Sequence, residues 1–166
     1  FIISGPGISK NTQAETPISF SDLLPTIVDL AGNKKLKEKT LDGGSFKDVL
    51  FKKSKKVKRN YEGIIFHVPY ENRIALERAH SAIIIDNLKL IKFYDNNEVK
   101  LFDLKNDNSE STDLSKIFRG GKLLHKKFIN RIENKLDQYL REVRAPKWKS
   151  GITWKKKPLK IINSYH

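Results

Sequence analysis

Apolar residues along this chain gather into runs whose spacing suggests the elements. FIIS at the start is continuous and apolar, as in the middle of a buried strand, and Gly5-Pro6-Gly7 turns it into a loop. A polar stretch follows to about Thr16. Within PISFSDLLPTIVDLAGN the spacing becomes helical. Leu23, Leu24, Ile27, Val28 and Leu30 make one apolar face, expected to be buried. Ser19 or Ser21 can cap the free N–H groups, and Asp22 suits the positive end of the helix dipole. Pro25 falls in the first turn, where few N–H groups need a partner, and Gly32 is placed to end the helix. The stretch from there to Asn60 is basic and loop-like, apart from a short helix expected around Phe46–Leu50.

From Tyr61 the pattern shortens to strands. YEGIIFHVPY, HSAIIIDNLKLIKFYD and EVKLFDL are β-rich runs bounded by Asn, Asp and Pro. Leu88, Leu90 and Phe93 against Lys89 and Lys92 read as a half-buried antiparallel strand. Asp86-Asn87 and Asp95-Asn96-Asn97 mark turns, so Ser81–Ile85, Leu88–Tyr94 and Lys100–Leu104 form a meander. Leu124, Phe128, Ile132, Leu136 and Leu140 then step by four, which predicts a helix over 123–143 that Pro146 ends. Lys126, Lys127, Arg131 and Lys135 occupy its other faces, and His125 falls on its polar side. The tail is irregular, with Trp148 and Trp154 as expected anchors over apolar surface.

Charge changes the picture in one respect. Lys+Arg number 33 against 19 Asp+Glu in 166 residues, a net charge of +14. Such an excess favours polyanionic partners, or else coats a solvated face with lysine. The densest cluster, Lys52–Arg59, has no aromatic residues interleaved for base stacking, so it reads as a solvated loop. No apolar run approaches the roughly 20 residues of a membrane helix. Without Cys the chain has neither disulfides nor thiolate metal sites. Its apolar opening without Met reads as a piece of a longer protein, in which a signal peptide would not be visible.

Four segments then stand in a telling order: ISGPG at 3–7, SFSDLLPTIVDLAG at 19–32, LDGGSFKDVL at 41–50, and SAIIIDNLKLIKFYDNNEVKLFDLKNDNSESTDLS at 81–115. Together they resemble the C-terminal part of the type I sulfatases, in the alkaline-phosphatase superfamily. Asp22, Pro25 and Thr26 match the Asp-x-x-Pro-Thr helix, and Leu41-Asp42-Gly43-Gly44-Ser45 the Leu-Asp-Gly-x-Ser turn. Leu101-Phe102-Asp103-Leu104 matches the last strand of the small sheet, and Asn106-Asp107, Glu110 and Asp113-Leu114 the loop after it. Ile84 stands where many members have Arg, and Leu88 where an aromatic precedes the Lys, so a surface role for that Arg does not carry over.

The resemblance implies an α/β fold. Residues 1–60 would be the last strand, helix and loop of the large α/β domain, 61–146 a small antiparallel sheet packed by a long helix, and 147–166 an irregular tail. It also implies a periplasmic or secreted parent enzyme that hydrolyses sulfate esters, on a sulfated polysaccharide or glycan. That enzyme's formylglycine nucleophile and calcium ligands would lie in its N-terminal portion. Ser4, Ser45 and Ser81 lack the Cys/Ser-x-Pro-x-Arg context, so this chain is expected to hold no catalytic or metal-binding residue and to be inactive alone.

For substrate the resemblance offers FHVPYENR, similar to a His-x-Pro stretch that follows a strand and approaches the pocket mouth in sugar-sulfate members. Pro69 should stop the strand and leave His67 facing that pocket. On this reading His67 donates to a sugar hydroxyl or sulfate, Tyr70 stacks on a sugar ring and Arg73 pairs with an acidic group. The alternative is a strand-end His67 satisfied by backbone, with Tyr70 in the core. His80 is expected to be structural. In the acidic stretch 103–113, Asp, Asn and Ser can close turns after the last strand. Asp103, Asp107, Asn108 and Glu110 are also hard calcium ligands, but without EF-hand spacing. Two other functions compete: a phosphodiesterase or phosphoethanolamine transferase of the same superfamily, differing in a nucleophile outside this chain, and a basic nucleic-acid-binding module. The second calls for interleaved aromatics that do not appear, so no nucleic acid and no membrane is expected as a partner.

Overall fold

The computed structural model describes residues 1–32, 41–71, 78–119 and 122–149. Its centre is a four-stranded antiparallel sheet in the order β1-β2-β3-β4, formed by Ile64–Val68, His80–Ile85, Leu88–Phe93 and Val99–Asp103. The turns stand where the sequence places them. Asp86 takes φ +51° and Asn97 φ +56°, left-handed values that Asp and Asn tolerate better than most residues. Register puts Ile65, Ile83, Leu90 and Leu101 in one row across the sheet. Because side chains alternate, this row lies on one face and Ala82, Ile91, Phe93 and Phe102 on the other, each face with its own apolar cluster.

A long helix, α3 (Lys126–Glu142), covers the first face with Ile129, Ile132 and Leu136. It begins later than its spacing suggests. Lys122–Leu123 pairs instead with Phe118–Arg119 as a two-stranded ribbon, β5 and β6. Leu124 is therefore outside the helix and half exposed, and His125 is the N-cap residue. Lys92 reaches up from β3 to Glu133 at 2.8 Å and Asp137 at 2.9 Å, one turn apart on α3.

The first part of the chain carries two short helices, α1 (Leu23–Leu30) and α2 (Lys47–Leu50), with a single 3-10 turn at Phe20–Asp22 before α1. Gly32 follows α1 with φ +72°. Two expectations fail here. FIIS forms no strand: Phe1 is 64% exposed and Ile2 fully so, and no described strand pairs with it. An apolar run becomes a strand only where a neighbour offers a ladder. The apolar face of α1 also turns outward, with Leu24 54% and Ile27 60% exposed, while Asp22, Pro25 and Thr26 are buried. Polar bonds from Asp22 and Thr26, with Pro25 and Phe46 buried beside them, hold α1 to the rest of the chain. Among the described residues no helix is long and apolar enough to cross a membrane.

Candidate functional site

Two polar clusters organise the molecule. The first is built on Asp22. Its carboxylate accepts from Ser19 N at 2.8 Å, Gly44 N at 2.9 Å, Arg59 Nε at 2.9 Å and Arg59 Nη2 at 2.6 Å. The other Arg59 Nη2 contact is Pro17 O at 3.0 Å. Thr26 donates to Asp22 O at 2.6 Å and accepts from Phe46 N at 3.0 Å. The Asp-x-x-Pro-Thr pattern is thus a clamp on the Gly43-Gly44-Ser45-Phe46 turn. Both glycines are required by space: a Cβ on Gly43 would lie 2.0 Å from Ser21 O, and one on Gly44 2.1 Å from Lys58 O. Burial pushes the Asp22 carboxyl up, but the hydrogen bonds from Arg59, Gly44 and Ser19 outweigh it and hold its pKa below the usual range. The Lys52–Arg59 run reads as a solvated loop, but the Arg59 side chain is only 10% exposed. The signal available was Asp22 itself, since a buried carboxylate needs a cation.

The second cluster is at the end of β1. Alternation places His67 on the same face as Ile65, under α3 and beside Ser81, rather than toward an open pocket. His67 Nδ1 is 2.6 Å from Ser81 Oγ, Ser81 Oγ is 2.5 Å from Tyr94 Oη, and His67 Nε2 is 2.8 Å from Pro146 O. A carbonyl only accepts, so Nε2 carries the proton. In the neutral ring Nδ1 then accepts from Ser81, whose oxygen accepts from Tyr94. Burial raises the Tyr94 pKa and keeps that donor in place. Both His67 nitrogens are therefore engaged by the chain itself. A saccharide reaches Nε2 only if the Pro146 carbonyl moves away. Tyr70, just beyond Pro69, is 41% exposed. Arg73 lies outside the described residues. His80 donates from Nδ1 to Arg78 O at 2.6 Å, a strand-end contact.

The acidic stretch after β4 is a set of closed turns. Asp107 accepts from Ser111 N at 3.1 Å and Thr112 N at 2.7 Å, as well as from the Ser109 and Ser111 hydroxyls. These bonds lower its pKa to about 2. Asp103 receives Lys105 N and the Asn106 side chain, and Asp113 receives Leu101 N and Ser115 N. Among the described residues no three acidic or histidine side chains converge as a metal ion requires. Calcium does not fit here. Ser81, whose hydroxyl meets His67, is fully buried and closed to substrate. A groove of about 300 Å³ separates β1 from the start of α1, lined by Ser19, Phe20, Arg59, Tyr61, Phe66 and Tyr139.

Comparison with known proteins adds what this geometry leaves open. A family model described as N-sulphoglucosamine sulphohydrolase, C-terminal, matches residues 1–145. Among curated proteins no sequence matches. Among solved structures, a 2-O GAG sulfatase aligns at 22% identity and TM-score 0.60, covering 86% of this chain and 29% of that one. A Bacteroides thetaiotaomicron protein, described only at the level of a sulfatase, aligns at 23% identity and TM-score 0.55 over 74% of this chain and 24% of its own. A third structure, in complex with its substrate D-glucosamine-2-N,6-O-disulfate, aligns at 24% identity and TM-score 0.51, over 74% of this chain and 24% of its own. The chain thus spans under a third of the length of the structures it resembles.

Proposed function

The chain belongs to the N-sulphoglucosamine sulphohydrolase C-terminal family, and from that premise we propose that it is the C-terminal part of a periplasmic or secreted enzyme that hydrolyses sulfate esters of a sulfated saccharide. The family match over residues 1–145 carries this reading. In it, residues 1–60 complete a large α/β domain, and 61–146 form a small sheet and helix subdomain. The formylglycine nucleophile and the calcium site belong to the remainder of the enzyme. The apolar face of Phe20, Leu24, Ile27 and Leu30 supports the division, because so much exposed apolar surface is stable only when covered. Its partner is the N-terminal portion of the same enzyme.

What this chain contributes is a scaffold and a rim. Asp22, Thr26 and Arg59 fix the α1 segment against the Gly43-Gly44 turn, and α3 fixes the sheet. Tyr70 and Arg73 are the proposed saccharide contacts. His67 joins them when the Pro146 carbonyl is displaced. The solved 2-O GAG sulfatase and the structure holding a glucosamine disulfate lend support to the substrate class.

The test is release of inorganic sulfate by the full-length enzyme from sulfated saccharides, run beside phosphate mono- and diesters. Sulfate release with the phosphate esters left intact is expected. Phosphate ester cleavage alone would move the chain to a phosphodiesterase-type parent. Tyr70→Ala should weaken turnover of a sulfated saccharide while sparing a minimal aryl sulfate, because the lost contact is to the sugar.

A further inference from the structure

The stretch Lys52–Arg59 holds the chain's densest positive charge, and the structure divides it unevenly. Arg59 is committed to buried Asp22. Lys56 pairs with Asp86 at 2.8 Å. Lys52, Lys53, Lys55 and Lys58 are exposed, and no acidic partner is found for them among the described residues. Clustered like charges repel, so a loop carrying them is expected to splay unless something holds it. This one is pinned along its length. Lys53 N and Ser54 N both donate to Asp48 O, at 2.8 and 3.1 Å. Ser54 Oγ donates to Lys56 O at 2.8 Å, Lys56 N returns to Ser54 Oγ at 3.0 Å, and Thr16 donates to Lys55 O at 2.9 Å. The fold thus holds uncompensated ammonium groups on a fixed backbone.

Beside the loop runs a groove of about 410 Å³, lined among others by Thr16, Lys55, Lys56, Lys58, Asn60 and Tyr61. The acids on its walls are already neutralised, Asp86 by Lys56 and Glu62 by Lys135. Its potential is therefore positive, and its groups are point-charge donors suited to oxyanions that need no bidentate geometry. Single-stranded nucleic acid fits poorly. No aromatic residue interleaves with the lysines, and the Tyr61 ring is held edge-on to Tyr139 with centroids 4.4 Å apart.

We propose that the Lys52–Lys58 loop and its groove form a docking site for a sulfated polysaccharide chain, held through its sulfates. The choice of a sulfated polymer among polyanions rests on the sulfatase reading. The charge and the groove do not. The site would tether the enzyme to its polymer between cleavage events.

The test measures binding, in full-length protein, to heparin, to fully desulfated heparin and to single-stranded DNA of matched length. The variant changes Lys52, Lys53, Lys55 and Lys58 together to Gln. A control changes Lys126 and Lys127 on α3 to Gln. Since ammonium–oxyanion attraction is screened over about 8 Å at physiological salt, the loop variant should bind heparin about tenfold more weakly, with a shallower salt dependence. The control should bind as the parent does, and desulfated heparin should not distinguish the proteins. Parent-like heparin binding by the loop variant would overturn the proposal, as would tighter binding to DNA than to heparin. Sulfate release measured on the same samples separates the two readings. Loss of binding in a protein without sulfatase activity would keep the docking site and sink the proposed function, whereas intact binding with normal sulfate release would do the reverse.

Discussion

Arg59 closes both oxygens of Asp22, with Nε 2.9 Å from Oδ1 and Nη2 2.6 Å from Oδ2, around a carboxylate that is fully buried. The pair ties the loop before α1, the Gly43-Gly44 turn and the end of the basic loop into one node. Removing the cation alone leaves a buried charge unpaired. Arg59→Met should therefore lower unfolding free energy by about 3–5 kcal/mol, and the double variant with Asp22→Leu should recover part of it. Urea melts of the three variants measure this. A loss below about 1 kcal/mol for Arg59→Met would place the pair among ordinary surface bridges.

Acid should unfold the chain through the same kind of group. Folded-state pKa values of Asp22 and Asp107 lie below the ordinary carboxylate value, Asp107 at about 2. A depressed folded pKa contributes stability that is complete above the unfolded value, near 3.9, and is lost as pH falls toward the folded one. Melting temperature should hold steady above about pH 5 and fall between about pH 4 and pH 2. Asp107→Asn should flatten that decline and loosen the amides of Ser111 and Thr112, seen by hydrogen exchange. An acid limb unchanged in Asp107→Asn would contradict the assignment.

The His67 contact to Pro146 anchors the segment that leaves α3. His67→Ala removes it while Ser81 keeps Tyr94 as a partner, so the loss is one hydrogen-bond set, about 1–2 kcal/mol. In a Trp154→Phe background, half-buried Trp148 reports on the segment. Its emission should shift to the red in the His67→Ala protein. An unshifted spectrum would mean that the segment is held by other contacts.

Outward-facing Leu24 and Ile27 predict opposite behaviour in two contexts. In the chain produced alone, Leu24→Glu with Ile27→Glu should reduce self-association, read by sedimentation. Within the longer enzyme the same changes should lower stability, because they place carboxylates in a covered interface. Equal stability of the altered and unaltered longer enzyme would show that this face is not covered.

The sheet was legible because its signal is local. Ile83, Leu90 and Leu101 announce a buried row by alternation alone, and Asp86-Asn87 and Asn96-Asn97 supply the turns. The acidic loop was legible for the same reason: Asp107 bonds to residues within five positions of itself. Long-range relations were not. Arg59 lies 37 residues from Asp22, and nothing in a lysine-rich run marks the one cation that is buried. The resemblance points His67 at a pocket, whereas alternation puts it on the Ile65 face, and only the structure shows that α3 covers that face. The α1 face misled for a different reason. Amphipathic spacing says that a face will be covered, not that the cover comes from this stretch of chain.

The most direct test compares sulfate release by the chain alone with that of the longer enzyme, on one sulfated saccharide and one aryl sulfate. Release is expected from the longer enzyme and none from the chain alone, because the described residues hold no metal-binding cluster and their one histidine-paired serine is buried. Sulfate release by the chain alone, above that of a matched mock preparation, would contradict this.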